Sequence, residues 1–198
     1  EIESAFAIDE KVSAKKLIED LASTSTIVPR FDNMGNFKFN VIPLEGGSTT
    51  PELGDNSRIK EVDVIDFSFS RTKIEDVYTN VELKYKWDYA EGKFGKELDI
   101  DGENNVNYGM FQNEGLIPGY LSSFYGFDVG DDRTLVIDDD RGKYIRDDAS
   151  AKRFAFFMLS WHLNQHLKIK VRLPLKYMNI EIGDIVDFDK TIGGIKPY

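Results

Sequence analysis

The feature that most constrains this chain is its closing stretch, where a long helical pattern gives way at once to short alternating strands. From about Asp148 to Leu167, the residues Ala151, Phe154, Ala155, Met158, Trp161 and His162 recur at helical spacing, and Phe157 broadens their apolar face. Asp147 or Asp148 can cap its start, because a carboxylate there accepts from unpaired first-turn amides and suits the positive end of the helix dipole. Ile169, Val171 and Leu173 then alternate with Lys168, Lys170 and Arg172, the two-residue period of a strand with one apolar face. Ile182-Gly183 predicts a turn into a final strand, Asp184–Phe188. A helix with a wide apolar face that feeds directly into strands must lay that face on a sheet. The stretch reads as architecture for assembly and not as an active site.

The preceding chain repeats this grammar. Ser13 is placed to cap a helix over Ser13–Ser23, with Ala14, Leu17, Ile18 and Leu21 on one face and Lys15, Lys16, Glu19 and Asp20 on the other. Thr24–Phe31 and Phe37–Ile42 flank an Asn/Gly turn cluster, which predicts a hairpin. In its second arm Phe37, Phe39 and Val41 alternate with Lys38 and Asn40, the pattern of a half-buried strand. Pro43 to Ser57 is a Gly/Ser/Thr/Pro-rich loop, and Val62–Ser70 is strand-like. A short helical or turn segment over Lys73–Val77 leads into Thr79–Trp87, where Val81, Leu83, Tyr85 and Trp87 share one face. That strand is expected at an edge, or half exposed, in an antiparallel sheet. Asp88 to Gly130 reads as an insertion; Thr134–Asp138 is a predicted strand and Asp138–Asp140 a turn. No fixed-period repeat is present. The expected fold is α+β, antiparallel and β-rich, with two main helices packed on the sheets. Its expected parts are 1–87 (helix, hairpin and sheet), 88–146 (insertion and connection) and 147–198 (the helix and strands that complete the domain).

Composition closes several routes. A net charge of −10 argues against nonspecific nucleic-acid binding, which needs clustered Lys and Arg to displace counterions. The absence of cysteine excludes disulfides and thiolate chemistry. No apolar run reaches the roughly 18 residues of a membrane span. The chain opens at Glu1 without Met and ends at Tyr198 just after a strand-like run, as a piece of a longer polypeptide or a processed one would.

His162 and His166 lie four apart on the expected helix, the spacing of two metal ligands on one face, but Leu163 stands where a zincin places its Glu. Ordinary helix histidines are the better account. Asp99, Asp101 and Glu103 around Gly102, with Asp131-Asp132 and Asp138–Asp140, resemble fragments of calcium loops but lack the full ligand set. Turn and solvent roles fit them better. No Gly-x-Ser-x-Gly elbow and no phosphate-binding Gly-Lys-Ser/Thr ending occurs. The basic strand Lys168–Arg172 is read as a solvated face rather than a seat for an anionic partner. Tyr108, Phe111, Tyr120, Phe124, Tyr125 and Phe127 could stack on sugar rings, although core or interface packing is the plainer reading. No catalytic, cofactor-binding or metal-binding residue is assigned, and no enzyme activity is expected.

The order of elements carries a resemblance. The helix Lys16-Leu17-Ile18-Glu19-Asp20-Leu21-Ala22 leads into a hairpin with the turn Asn33-Met34-Gly35-Asn36. The strand Asn80-Val81-Glu82-Leu83-Lys84-Tyr85, the helix over 149–167 and a basic strand ending in Ile182-Gly183-Asp184-Ile185-Val186 follow in turn. This order resembles the hub and tail-tip proteins of tailed bacteriophages, including the lambda-type host-specificity protein and the baseplate hub family. It covers most of 13–190 apart from 88–130. The resemblance implies a β-rich domain in the virion tail, assembled in the host cytoplasm. It implies packing with its own copies in a ring, often a trimer, and with other tail proteins between tail tube and spike or fibre. A carbohydrate- or receptor-binding module is the alternative expectation, with the Tyr/Phe-rich insertion on the glycan.

Overall fold

The computed structural model describes residues 4–5, 8, 11–41, 58–101, 133–163, 165–184 and 186–188. The fold is α+β, with sheets that are mostly antiparallel. In chain order the elements are α1 (Ala14–Ser23), β1 (Ile27–Phe31), β2 (Phe37–Val41), β3 (Arg58–Ile59), β4 (Asp66–Arg71) and β5 (Asn80–Asp88). There follow β6 (Lys93–Asp101), β7 (Thr134–Ile137), α2 (Asp140–Lys143), α3 (Asp148–His162), β8 (Leu167–Arg172) and β9 (Asp187–Phe188). No helix among the described residues is long and apolar enough to cross a membrane.

The chain forms two compact units, each built from stretches far apart in sequence. One combines 1–26 with 74–164, and the other 27–73 with 165–198. The first holds a mixed three-stranded sheet in the order β6-β5-β7. Central β5 pairs antiparallel with β6 and parallel with β7. The expectation of an edge position for β5 is therefore overturned, and its alternation explains why. Val81, Leu83 and Tyr85 are buried while Glu82 and Lys84 keep partial access to water, so polarity along this strand reports its faces and not its place in the sheet. Against that apolar face α3 sets Ala151, Phe154, Ala155 and Leu159, all buried in one core with Ile100, Ile137 and Ile145.

Capping follows the expected chemistry. Ser13 accepts from the Lys16 amide at the start of α1, and Asp147, the acceptor for the Ser150 amide, caps α3. Helix α3 ends at His162, short of the expected Leu167, because β8 already begins there. Within α3, Trp161 is about half exposed, and Leu159 takes a core position that the expected face left out. Residues 93–101, read as part of an insertion, form β6 and pair with β5 along nearly its whole length. Residues 102–132 lie outside the described set, as do residues 42–57, which include the loop expected from Pro43 to Ser57.

Among its described residues the second unit contains three two-stranded pairs: β1–β2 and β4–β8, both antiparallel, and β3–β9, parallel. The turn at Lys73–Val77 is present as a single helical turn over Ile74–Asp76, and the strand expected from Val62 begins only at Asp66. The predicted final strand is reduced to Asp187–Phe188. Asp184 belongs instead to a turn around Gly183 (φ +87°), in which the Glu181 amide donates to its carboxylate at 2.8 Å.

Candidate interaction surface

The second unit spends little of its apolar surface on a core. Among the described residues, Ile59 and Tyr177 are its only buried hydrophobic side chains. Much of the remainder gathers on two surfaces.

The first is the β1–β2 hairpin. Its register sets Ile27 opposite Val41, Pro29 opposite Phe39 and Phe31 opposite Phe37, so six apolar residues share one face. Phe31 and Phe37 pack edge to face with centroids 5.4 Å apart, and Phe37 and Phe39 do the same at 4.9 Å. Yet Phe31 is 69% exposed, Phe39 56% and Val41 66%, and Met34 at the tip reaches 85%. The half-buried strand expected from Phe37, Phe39 and Val41 is thus overturned: its apolar face points to water.

The reason lies on the opposite face, where the Arg30 side chain is 8% exposed. Arg30 Nη1 donates to Glu181 Oε2 at 2.5 Å, while the Asn33 amide donates to Glu181 Oε1 at 2.9 Å. Asn33 Nδ2 donates to the Met178 carbonyl at 3.2 Å. The Asn33 amide, and then Arg30, hold the Glu181 carboxyl below its usual range. At the turn, Asp32 accepts from the Met34 and Asn36 amides and pairs with Lys38 at 2.8 Å. Lys38 first, then the Asn36 amide, push the Asp32 carboxyl far down.

The second surface is a groove of about 530 Å³ bordered by β8, β3, β9 and the segment after β8. Leu167, Ile169 and Val171 of β8 line it together with Leu175, Met178 and Ile180 of the segment that follows. Across β4–β8, Phe67 lies opposite Val171 and Phe69 opposite Ile169, which extends the apolar wall along the ribbon. Among the described residues Tyr177 supplies the groove's one polar side-chain atom, and its hydroxyl is occupied. It donates to Asp63 Oδ2 at 2.8 Å and accepts from the Lys60 amide at 3.1 Å. Lys176 also reaches Asp63 at 2.5 Å; it and Tyr177 lower the Asp63 carboxyl. With no unengaged polar side chain among its described lining residues, the groove suits an apolar side chain better than a small polar substrate.

His162 ends α3 in the first unit, with its ring edge-on to Tyr78 at 5.7 Å. His166 lies beyond the helix in the second unit, where its amide donates to Thr72 Oγ1 at 2.8 Å. The shared helical face expected for the pair does not exist. Asp99 is exposed on β6 opposite Glu82, Asp139 caps α2, and Asp140 pairs with Lys143 at 2.6 Å. Asp101 ends β6, and Glu103, Asp131 and Asp132 lie outside the described residues. So do Tyr108, Phe111, Tyr120, Phe124, Tyr125 and Phe127. Among the described residues no group of three or more His, Asp or Glu is placed to hold a metal ion. The side chains of Lys168, Lys170 and Arg172 are exposed on β8, opposite Ser70, Ser68 and Asp66. The signal for the hairpin surface was in the sequence, as Phe31, Phe37 and Phe39 around a tight turn; its outward orientation was not.

No family model matches the chain, and no curated protein matches it significantly.

Proposed function

We propose that this chain is a structural component of a phage virion, a tail hub or tail-tip domain that assembles with its own copies and with other tail proteins between tail tube and spike or fibre. The observation that carries this reading is the second unit, whose strand pairs leave contiguous apolar faces in water. A two-stranded ribbon is marginal alone, and exposed apolar patches of several hundred Å² mark contact surfaces. The virion assignment draws on the order of elements from Lys16 to Val186 that resembles phage hub proteins. Its work is done by shape and interface area, with no covalent step.

The test has two parts, sedimentation of the purified chain and immunogold labelling of particles from phage that encode it. The expected results are a stable ring and label at the tail tip. A monomer at all concentrations, together with unlabelled tails, overturns the proposal.

A further inference from the structure

The two apolar surfaces of the second unit differ in kind, and neither fills the other within one copy. The hairpin turns its polar face to the segment 178–184 through Arg30, Asn33 and Glu181, so its apolar face is directed away from that segment. The groove is walled by Met178 and Ile180 of the same segment. A hairpin clamped in this way cannot turn its phenylalanines into its own groove.

We infer that the apolar face of the β1–β2 hairpin of one copy seats in the apolar groove beside β8 of a second copy, a head-to-tail contact. This rests on the hub reading above and deepens it by naming the surfaces. Three considerations select a second copy as the occupant. The first is charge. Copies carrying −10 each repel, so they adhere best where no charge is desolvated, and among the described residues no charged side chain lines the groove or the hairpin's apolar face. The second is area. The exposed parts of Phe31, Met34, Phe37, Phe39 and Val41 amount to something on the order of 500 Å², a large share of the roughly 800 Å² that each partner contributes to a stable interface. The third is symmetry. A protrusion and a groove at different places on one chain make a heterologous contact, which propagates from copy to copy and closes into a ring when the rotation permits.

The experiment uses complementary variants of the full chain, followed by analytical ultracentrifugation. Phe39→Asp disables the hairpin and Ile169→Asp the groove; Phe31→Asp and Met178→Asp, at more exposed positions, are the second pair. Unchanged circular dichroism and melting qualify each variant. The expected outcome is a wild-type ring, monomeric single variants with self-affinity weakened roughly 30-fold or more, and a one-to-one dimer, no larger, when a hairpin variant meets a groove variant. That rescue requires one intact hairpin and one intact groove on different copies. Rings that persist in the qualified variants, or variants that never rescue each other, overturn the docking and leave the hub reading standing. A wild-type chain that never associates overturns the docking, and together with unlabelled tails the hub reading as well.

Discussion

Arg30 and Glu181, separated by 151 residues, meet at 2.5 Å and fix which face of the β1–β2 hairpin looks inward. The Arg30 side chain is almost fully enclosed while the phenylalanines behind it are open to water. An enclosed guanidinium needs its acceptor, so the ion pair determines the hairpin's orientation and, through it, the exposed aromatic face.

Replacing that acceptor should loosen the hairpin before anything else. In Glu181→Ala the Asn33 amide loses its acceptor and Arg30 keeps only the longer contact with Asp184, at 3.9 Å. Hydrogen exchange across Phe37–Val41 is expected to rise on the order of tenfold, while β5 amides in the other unit keep wild-type protection. Equal acceleration in both regions would show that the pair does not act locally.

Acid should weaken the second unit in a defined direction. Lys38 and the Asn36 amide depress Asp32, Lys176 and Tyr177 depress Asp63, and the Asn33 amide and Arg30 depress Glu181. A carboxyl whose folded pKa lies below its unfolded value contributes stability that is present above the unfolded pKa and is lost as pH falls through the folded one. The urea midpoint should therefore stay flat down to about pH 5, then fall from about pH 4 downward, where unfolded carboxylates begin to take up protons. Asp63→Asn should flatten part of that fall. A midpoint that rises on acidification would contradict the assignment.

In the first unit the apolar face of α3 offers a contrast between two aromatics. Phe154 is 1% exposed in the core, and Phe154→Ala should cost about 3–5 kcal/mol. Trp161 is 49% exposed, and Trp161→Ala should cost no more than about 1 kcal/mol. Chemical denaturation of the two variants measures both. Equal losses would mean that the helix rests on a different face.

Helical spacing put Phe154 and Trp161 in one set, and this shows where the sequence stops being legible. Periodicity locates a stripe, but the width that is actually covered depends on the sheet beneath it. Alternation at Phe37, Phe39 and Val41 revealed the strand and its register; the side turned inward was decided by Glu181, far along the chain. Strand β6 went unread because Gly95 and Lys96 interrupt its apolar run of Phe94, Leu98 and Ile100. In the structure Lys96 Nζ reaches past the sheet to Asp148 at 2.7 Å, so a charged residue holds an otherwise apolar register position. The histidine pair failed for a simpler reason: α3 ends at His162, so a spacing of four no longer implies a shared face. The caps at Ser13 and Asp147 were legible because capping is local chemistry.

Gly183 joins the Ile-Gly-Asp-Ile-Val step to the hairpin and yields the sharpest backbone prediction. Its φ of +87° belongs to the left-handed region, and a Cβ added there would stand 2.6 Å from Asn40 Nδ2 on β2. The left-handed conformation alone costs a non-glycine residue about 1–2 kcal/mol, and the crowding at Asn40 adds to it. Gly183→Ala should lower stability by at least that amount and speed exchange in β2, because the Asn40 side chain must move to admit the methyl group. Pairing it with Asn40→Ala separates the causes. The second substitution should recover the crowding portion and leave the conformational portion, so the double variant is expected to be more stable than Gly183→Ala alone. Urea denaturation of the wild type, the two single variants and the double variant measures the coupling; strict additivity would mean that Asn40 and residue 183 do not touch.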